Sequence, residues 1–179
     1  MAANDPANIR LGPCLVIYDG QQLGLTKGGV EVELSTETKR IEVDQFGKTA
    51  VDEVILGRTL KVKVPVAETD VDSMHRVLQF TGSTLTPGTG TPVAGKFVSV
   101  TSGVGISLRK NAKSLILHPQ DLPLADKSED FIVPLAATPG AFSFAYKVDD
   151  ERVFNLEFTG YPDNTTGVIF FYGDKTLPP

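Results

Sequence analysis

Strict alternation of apolar and charged residues, as in Val30-Glu31-Val32-Glu33-Leu34, rules out a stable helix at that place. At helical spacing the valines would scatter around the axis, whereas in an extended strand they line one face and the carboxylates the other. The pattern returns at Ile41-Glu42-Val43-Asp44 and at Leu60-Lys61-Val62-Lys63-Val64-Pro65-Val66, so this part of the chain reads as half-buried strands. Thr36-Glu37-Thr38-Lys39 is expected to turn the chain back between the first two. Pro65 has no amide proton to give to a ladder, which places it at a strand end or sheet edge. Val30, Val32, Leu34, Ile41, Val43, Leu60, Val62 and Val64 are then expected to share the core face. Glu31, Glu33, Glu42, Asp44, Lys61 and Lys63 are expected to share the other.

One helix interrupts this pattern. Thr69-Asp70-Val71-Asp72 has the form of an N-cap with an acidic first turn. Val71, Met74, Val77 and Leu78 follow on one stripe at helical spacing, and Gly82 closes the segment. Residues 82–95, rich in Gly, Thr and Pro, read as a loop without periodicity. Strands are expected to resume at about 96–108, 113–118, 131–136, 141–147, 152–160 and 167–172. A second long loop spans 119–130, and Tyr161-Pro162-Asp163-Asn164 forms a turn before the last strand. Many strands and one helix predict a mainly β fold, a sandwich or barrel of antiparallel strands with a flanking α-helix. Residues 1–12 read as a polar N-terminal arm, and 13–179 as a single domain, with a further loop at 45–50.

With 179 residues the chain is long enough for one compact domain. No apolar run approaches the roughly 20 residues of a membrane-spanning helix, so no membrane insertion is expected. The N-terminus lacks a basic stretch followed by an apolar core, which predicts use without export. A single cysteine, Cys14, leaves no internal disulfide framework. It lies in the apolar run Pro13–Tyr18, where it is expected to act as a small buried hydrophobe. The net charge of −5 would repel a phosphate backbone rather than grip it.

No side chains stand at the spacing that chemistry needs. His75 lies on the helix and His118 before a proline, neither beside a metal-ligand pattern, so both read as surface or packing residues. Gly103-Val104-Gly105 lacks the third glycine and following helix of a dinucleotide fingerprint, and reads as a bulge or close approach between strands. Asp149-Asp150-Glu151-Arg152 reads as a hairpin turn, with too few oxygen ligands for calcium. Asn164-Thr165-Thr166 matches a glycosylation sequon without an export signal to give it meaning. Arg109, Lys110 and Lys113 form the densest basic cluster, but no interleaved aromatics accompany them to stack bases, so a solvated or subunit-contact patch is expected. No cofactor or metal is called for, and no catalytic residue is assigned.

An ordered set of segments carries a resemblance. Gly24-Leu25-Thr26-Lys27-Gly28-Gly29-Val30-Glu31-Val32, Ile41–Thr49, Val51–Thr59 and Lys61–Glu68 are followed much later by Phe144–Asp149 and Phe158–Asp163. In this order they resemble the major tail tube proteins of long-tailed, siphovirus-like bacteriophages. The likeness is densest over 24–80 and 141–163 and thin over 82–130, and Val66 stands where the family pattern suggests leucine. The resemblance implies a non-enzymatic subunit of the virion tail, assembled in the host cytoplasm. Hexameric rings of it would stack into a hollow conduit around a tape-measure protein, capped by tail-terminator and tip proteins, with DNA passing without sticking. Related tubes occur in contractile tails and in type VI secretion. On this reading Glu31, Glu33, Glu42, Asp44, Lys61 and Lys63 line the bore, and Gln45, Phe46, Gly47, Lys48, Thr49 and Ala50 contact the next ring. The strands at 28–35 and 58–66 would pair across subunits or lie at edges that the ring closes. A β-sandwich binding or virion-decoration module, and an enzyme with an inconspicuous site, are the other classes that the residues allow.

Overall fold

The computed structural model describes residues 12–68, 70–78, 83–87 and 95–175, the segment 83–87 as backbone only. The fold is mainly antiparallel β. The strands are β1 (Cys14–Tyr18), β2 (Gln21–Gln22), β3 (Glu31–Glu42), β4 (Ala50–Val66), β5 (Ser83–Pro87), β6 (Lys96–Val100), β7 (Lys113–Pro119), β8 (Phe131–Ala137), β9 (Phe142–Ser143), β10 (Phe154–Gly160) and β11 (Phe171–Tyr172). The main sheet runs β2-β1-β7-β8-β10-β4-β3, with β9 on β10 and β11 on β8, while β5 and β6 form a separate ribbon. The helix α1 (Val71–Leu78) flanks the sheet.

The sheet folds over on itself because its apolar side chains lie on one face. Val16 and Tyr18 of β1, Leu115 of β7, Val133 of β8, Leu156 and Phe158 of β10, and Leu60, Val62, Val64 and Val66 of β4 are all buried in one cluster. The Tyr18 and Phe158 rings meet 5.0 Å apart although two strands separate β1 from β10 in the sheet. After β2 the chain crosses back to the end of β4. Leu23 N–H donates to Val16 O at 2.9 Å, Lys27 N–H to Pro65 O at 3.0 Å and Ala67 N–H to Leu25 O at 2.8 Å. Gly24 makes that crossing with φ +99°, and a Cβ there would lie 2.5 Å from the Glu68 carbonyl oxygen, so only glycine fits.

The helix starts as its sequence indicates: the Asp70 carboxylate accepts from Ser73 N–H at 2.7 Å. Hydrogen bonds from the Ser73 side chain and then its backbone N–H hold the Asp70 pKa below the usual carboxylate range. Val77 and Leu78 are buried and Val77 joins the core, whereas Val71 is exposed. Gly82 lies outside the described residues. Cys14 is half-buried against the core, and burial pushes its thiol pKa up. His118 packs inside, with Nδ1 2.6 Å from Asp130 Oδ1 and Nε2 3.3 Å from Leu122 O. Among the described residues no helix is long and apolar enough to cross a membrane.

Several elements differ from expectation. Thr36–Lys39 does not turn: β3 runs unbroken to Glu42, because alternating threonines favour extended backbone. The reversal comes later, in a 3-10 turn over Asp44–Phe46 closed by Gly47 at φ +62°. Residues 83–87, expected as loop, pair with β6 from Ser83↔Val100 to Pro87↔Lys96, and 88–94 lie outside the described residues. The strand expected over 96–108 stops at Val100, and Gly103 and Gly105 take positive φ at a turn rather than a bulge. The strands expected over 141–147 and 167–172 are two-residue pairings. The loop after β7 holds as irregular chain up to Asp130. Of the N-terminal arm, residues 1–11 lie outside the described residues.

Candidate assembly surfaces

On the face opposite the core, β3, β4 and β10 bring charges into register. Glu31 stands opposite Lys63, which stands opposite Glu157, and Glu33 opposite Lys61, which stands opposite Thr159. Lys63 Nζ lies 3.2 Å from Glu31 Oε2, and Lys61 Nζ lies 3.0 Å from Glu157 Oε1. The hydrogen bond from Glu31 raises the Lys63 pKa. Of the six charges expected together, Glu31, Glu33, Lys61 and Lys63 do share this face. Glu42 does not. Side chains alternate along an unbroken β3, so Glu42 falls with Val32 and Leu34, and Ile41 falls with the glutamates. Asp44 sits in the tip turn. Glu157 completes the set, and the alternation Phe154-Asn155-Leu156-Glu157-Phe158 carried the signal for it. Over the stretch where β3, β4 and β10 are paired side by side, three acids and two lysines give the face −1, not the −2 of the sequence count.

The core face also ends sooner than expected. Leu60, Val62 and Val64 are buried, but Val32 and Leu34 are each 43% exposed and Ile41 40%. Two causes combine. Among the described residues no strand lies on the outer side of β3, and beyond Leu60 the β3–β4 hairpin outruns β10, whose last residue, Gly160, pairs with Leu60. Along that projecting arm Val51, Val54, Ile55 and Leu56 are exposed as well. Register shifts at Glu37/Thr38 and Ile41/Glu42 bend it. Residues 45–50 come together at its tip, where Phe46 is 66% exposed. The segment 58–66 is not an edge, since from Leu60 onward β4 lies between β3 and β10.

At the other end of β4 lies an aromatic shelf. Phe144 stacks on Phe154 with centroids 4.5 Å apart and meets Tyr146 edge-on at 5.4 Å. The Arg152 guanidinium lies 5.4 Å from the Tyr146 ring centre and 5.3 Å from that of Phe154, and donates to Tyr146 Oη at 3.2 Å. The turn 149–152 is fastened by Lys27, which pairs with Asp150 at 2.7 Å and also with Glu151. That pairing lowers the Asp150 pKa to about 2 and raises that of Lys27 to about 12. Between this clamp and the charged face runs a groove of about 390 Å³ lined by Gly28, Gly29, Lys63 and Asn155 among others.

Of the basic cluster singled out in the sequence, Arg109 and Lys113 have side-chain partners. Arg109 donates to Pro162 O at 2.9 Å and to the Asn164 side chain, holding the 161–167 turn that Asp163 caps through Thr165 and Thr166 N–H. Lys113 pairs with Asp19 at 3.5 Å. Among the described residues no three potential metal ligands converge.

No protein-family profile and no curated protein matches the chain. Its fold does match a solved one. A chain from the virion of a native gene transfer agent particle superposes with a TM-score of 0.51 at 10% identity, covering 93% of this chain and all of that one. At that identity the likeness establishes the fold.

Proposed function

We propose that the chain is a structural subunit of a phage-type virion, a tail tube protein whose rings, six-fold by the family resemblance, stack into a conduit for DNA. The observation that carries this reading is the strip β9-β10-β4-β3. Among the described residues no strand covers the outer edge of β3 or of β9, and one face of the strip is charged. A 12-residue open edge is an aggregation hazard in a monomer. Two dissimilar open edges on opposite sides join head to tail, and such a contact closes into a ring when the rotation allows. Ring closure would cover Val32 and Leu34, whose exposure has no purpose in a free subunit. The charged face then lines the bore, with Glu31, Glu33, Glu157, Lys61 and Lys63 supplying −1 per subunit. The hairpin tip, 45–50, reaches the next ring. The fold shared with a gene transfer agent virion chain supports the same assignment. A tape-measure protein, terminator and tip proteins are its expected partners, and the virion tail its location. Negative-stain microscopy and sedimentation of the purified chain test it: rings and rods are expected. A monomer at all concentrations would point to a decoration or binding module instead.

A further inference from the structure

We propose that the aromatic shelf of Phe144, Tyr146 and Arg152 is the seat on which the hairpin tip of a second copy, in the next ring, docks. This rests on the tube reading and adds to it the surface that receives the tip. The tip adjoins Ala50 and the shelf adjoins Val66, the two ends of the 17-residue β4, which at strand rise lie roughly 50 Å apart. A projection at one pole and a platform at the other form a heterologous pair, and such a pair propagates along an axis instead of closing on itself.

The tip offers Phe46 and Val51, both exposed, within a segment 42–53 that holds Glu42, Asp44, Asp52 and Glu53 against Lys48, a net of −3. The shelf offers Tyr146, 78% exposed, beside the fully exposed Val148. Arg152 lies over its rings, and among the described residues no ion pair takes it up. Solvent-facing aromatics joined to a guanidinium are what an apolar tip with flanking carboxylates would bury best. Two of the three acids beside the shelf are already taken up, Asp150 by Lys27 and Lys147 and Glu151 by Lys27, which leaves Asp149 as the one carboxylate there with no ion pair among the described residues. The same clamp holds the turn in place before docking, which lowers the ordering cost.

Two variants with exposed side chains, Arg152→Glu and Tyr146→Asp, test the seat by microscopy and sedimentation. Rings of normal mass are expected with at least a tenfold loss of rods, and unchanged melting shows that folding is intact. Rods undiminished in both variants overturn the proposal. Contact itself is tested with Phe46→Cys and Tyr146→Cys together in a Cys14→Ser background, oxidised after assembly. A ladder of covalent multimers on a non-reducing gel is expected, and rings or rods without that ladder overturn it. If the unsubstituted chain forms neither rings nor rods, the tube reading itself fails and this seat with it. Rods from the unsubstituted chain with normal rods from both variants remove only the seat.

Discussion

At the level of single residues, the buried pair His118–Asp130 fastens the long connection after β7 to the body of the sheet. Both side chains are almost fully buried, and Gly173 N–H donates to Asp130 O at 2.8 Å, so the last strand is tied to the same point. Removing one partner leaves a polar nitrogen buried without an acceptor, which costs about 1–3 kcal/mol. Asp130→Ala is therefore expected to lower the melting temperature by roughly 5 °C, taking about 2–4 °C per kcal/mol for a domain of this size. Asp130→Asn keeps an acceptor oxygen and is expected to lose less than half as much. Calorimetry on the unassembled chain decides the matter, and an unchanged melting temperature for the alanine variant would show that the pair does not hold the loop. None of this was legible in the sequence beyond the reading of His118 as a packing residue. The partner lies 12 residues away across an irregular loop, and no periodicity links the two. Glu157 was legible by contrast, since it stands in the same alternation that exposed Glu31 and Glu33.

Among the elements, the β3–β4 hairpin shows where local pattern stops being informative. Val32 and Val62 sit in near-identical alternating contexts and are direct cross-strand partners. Period two places them on the same face, and the structure agrees. It cannot say that cover ends between them, because burial depends on β10, β8 and β1, which arrive from distant parts of the chain. Val62 is buried at 1% and Val32 is exposed at 43%. The two substitutions should consequently separate. Val62→Asp buries a charge in a closed core and is expected to prevent folding. Val32→Asp is expected to leave a folded monomer, with native circular dichroism and a near-native melting temperature, that no longer forms rings. Rings of normal shape from Val32→Asp would show that the β3 edge takes no part in assembly. The misplaced turn at Thr36–Lys39 has a similar origin. Its charged and hydroxyl residues suit a turn in composition, but the actual reversal needed the 3-10 turn and a glycine at positive φ, which the chain supplies only at 44–47.

For the whole molecule, the electrostatic question is whether the charged strip faces DNA. Lys61 and Lys63 sit between acids on both neighbouring strands, so the face is weakly negative and internally paired. In the proposed six-subunit ring such faces would sum to roughly −6, enough to disfavour adsorption of a phosphate backbone without strong repulsion between subunits. Reversing this balance should convert a non-stick wall into a binding one. Changing Glu31, Glu33 and Glu157 together to lysine moves the charged face of each subunit from −1 to +5, and the single changes move it to +1. Because these side chains are exposed or half-exposed in the free chain, the substitutions should leave the subunit folded, and low salt should not be needed for it to stay so. Ring formation is read first by microscopy, and genome passage then by ejection from particles carrying the variant. Slowed or stalled ejection is expected for the triple change, partly relieved as salt rises, since backbone adsorption weakens steeply with ionic strength. Normal ejection kinetics at every salt concentration, in tubes that assemble and carry the triple change, would place this face away from the bore.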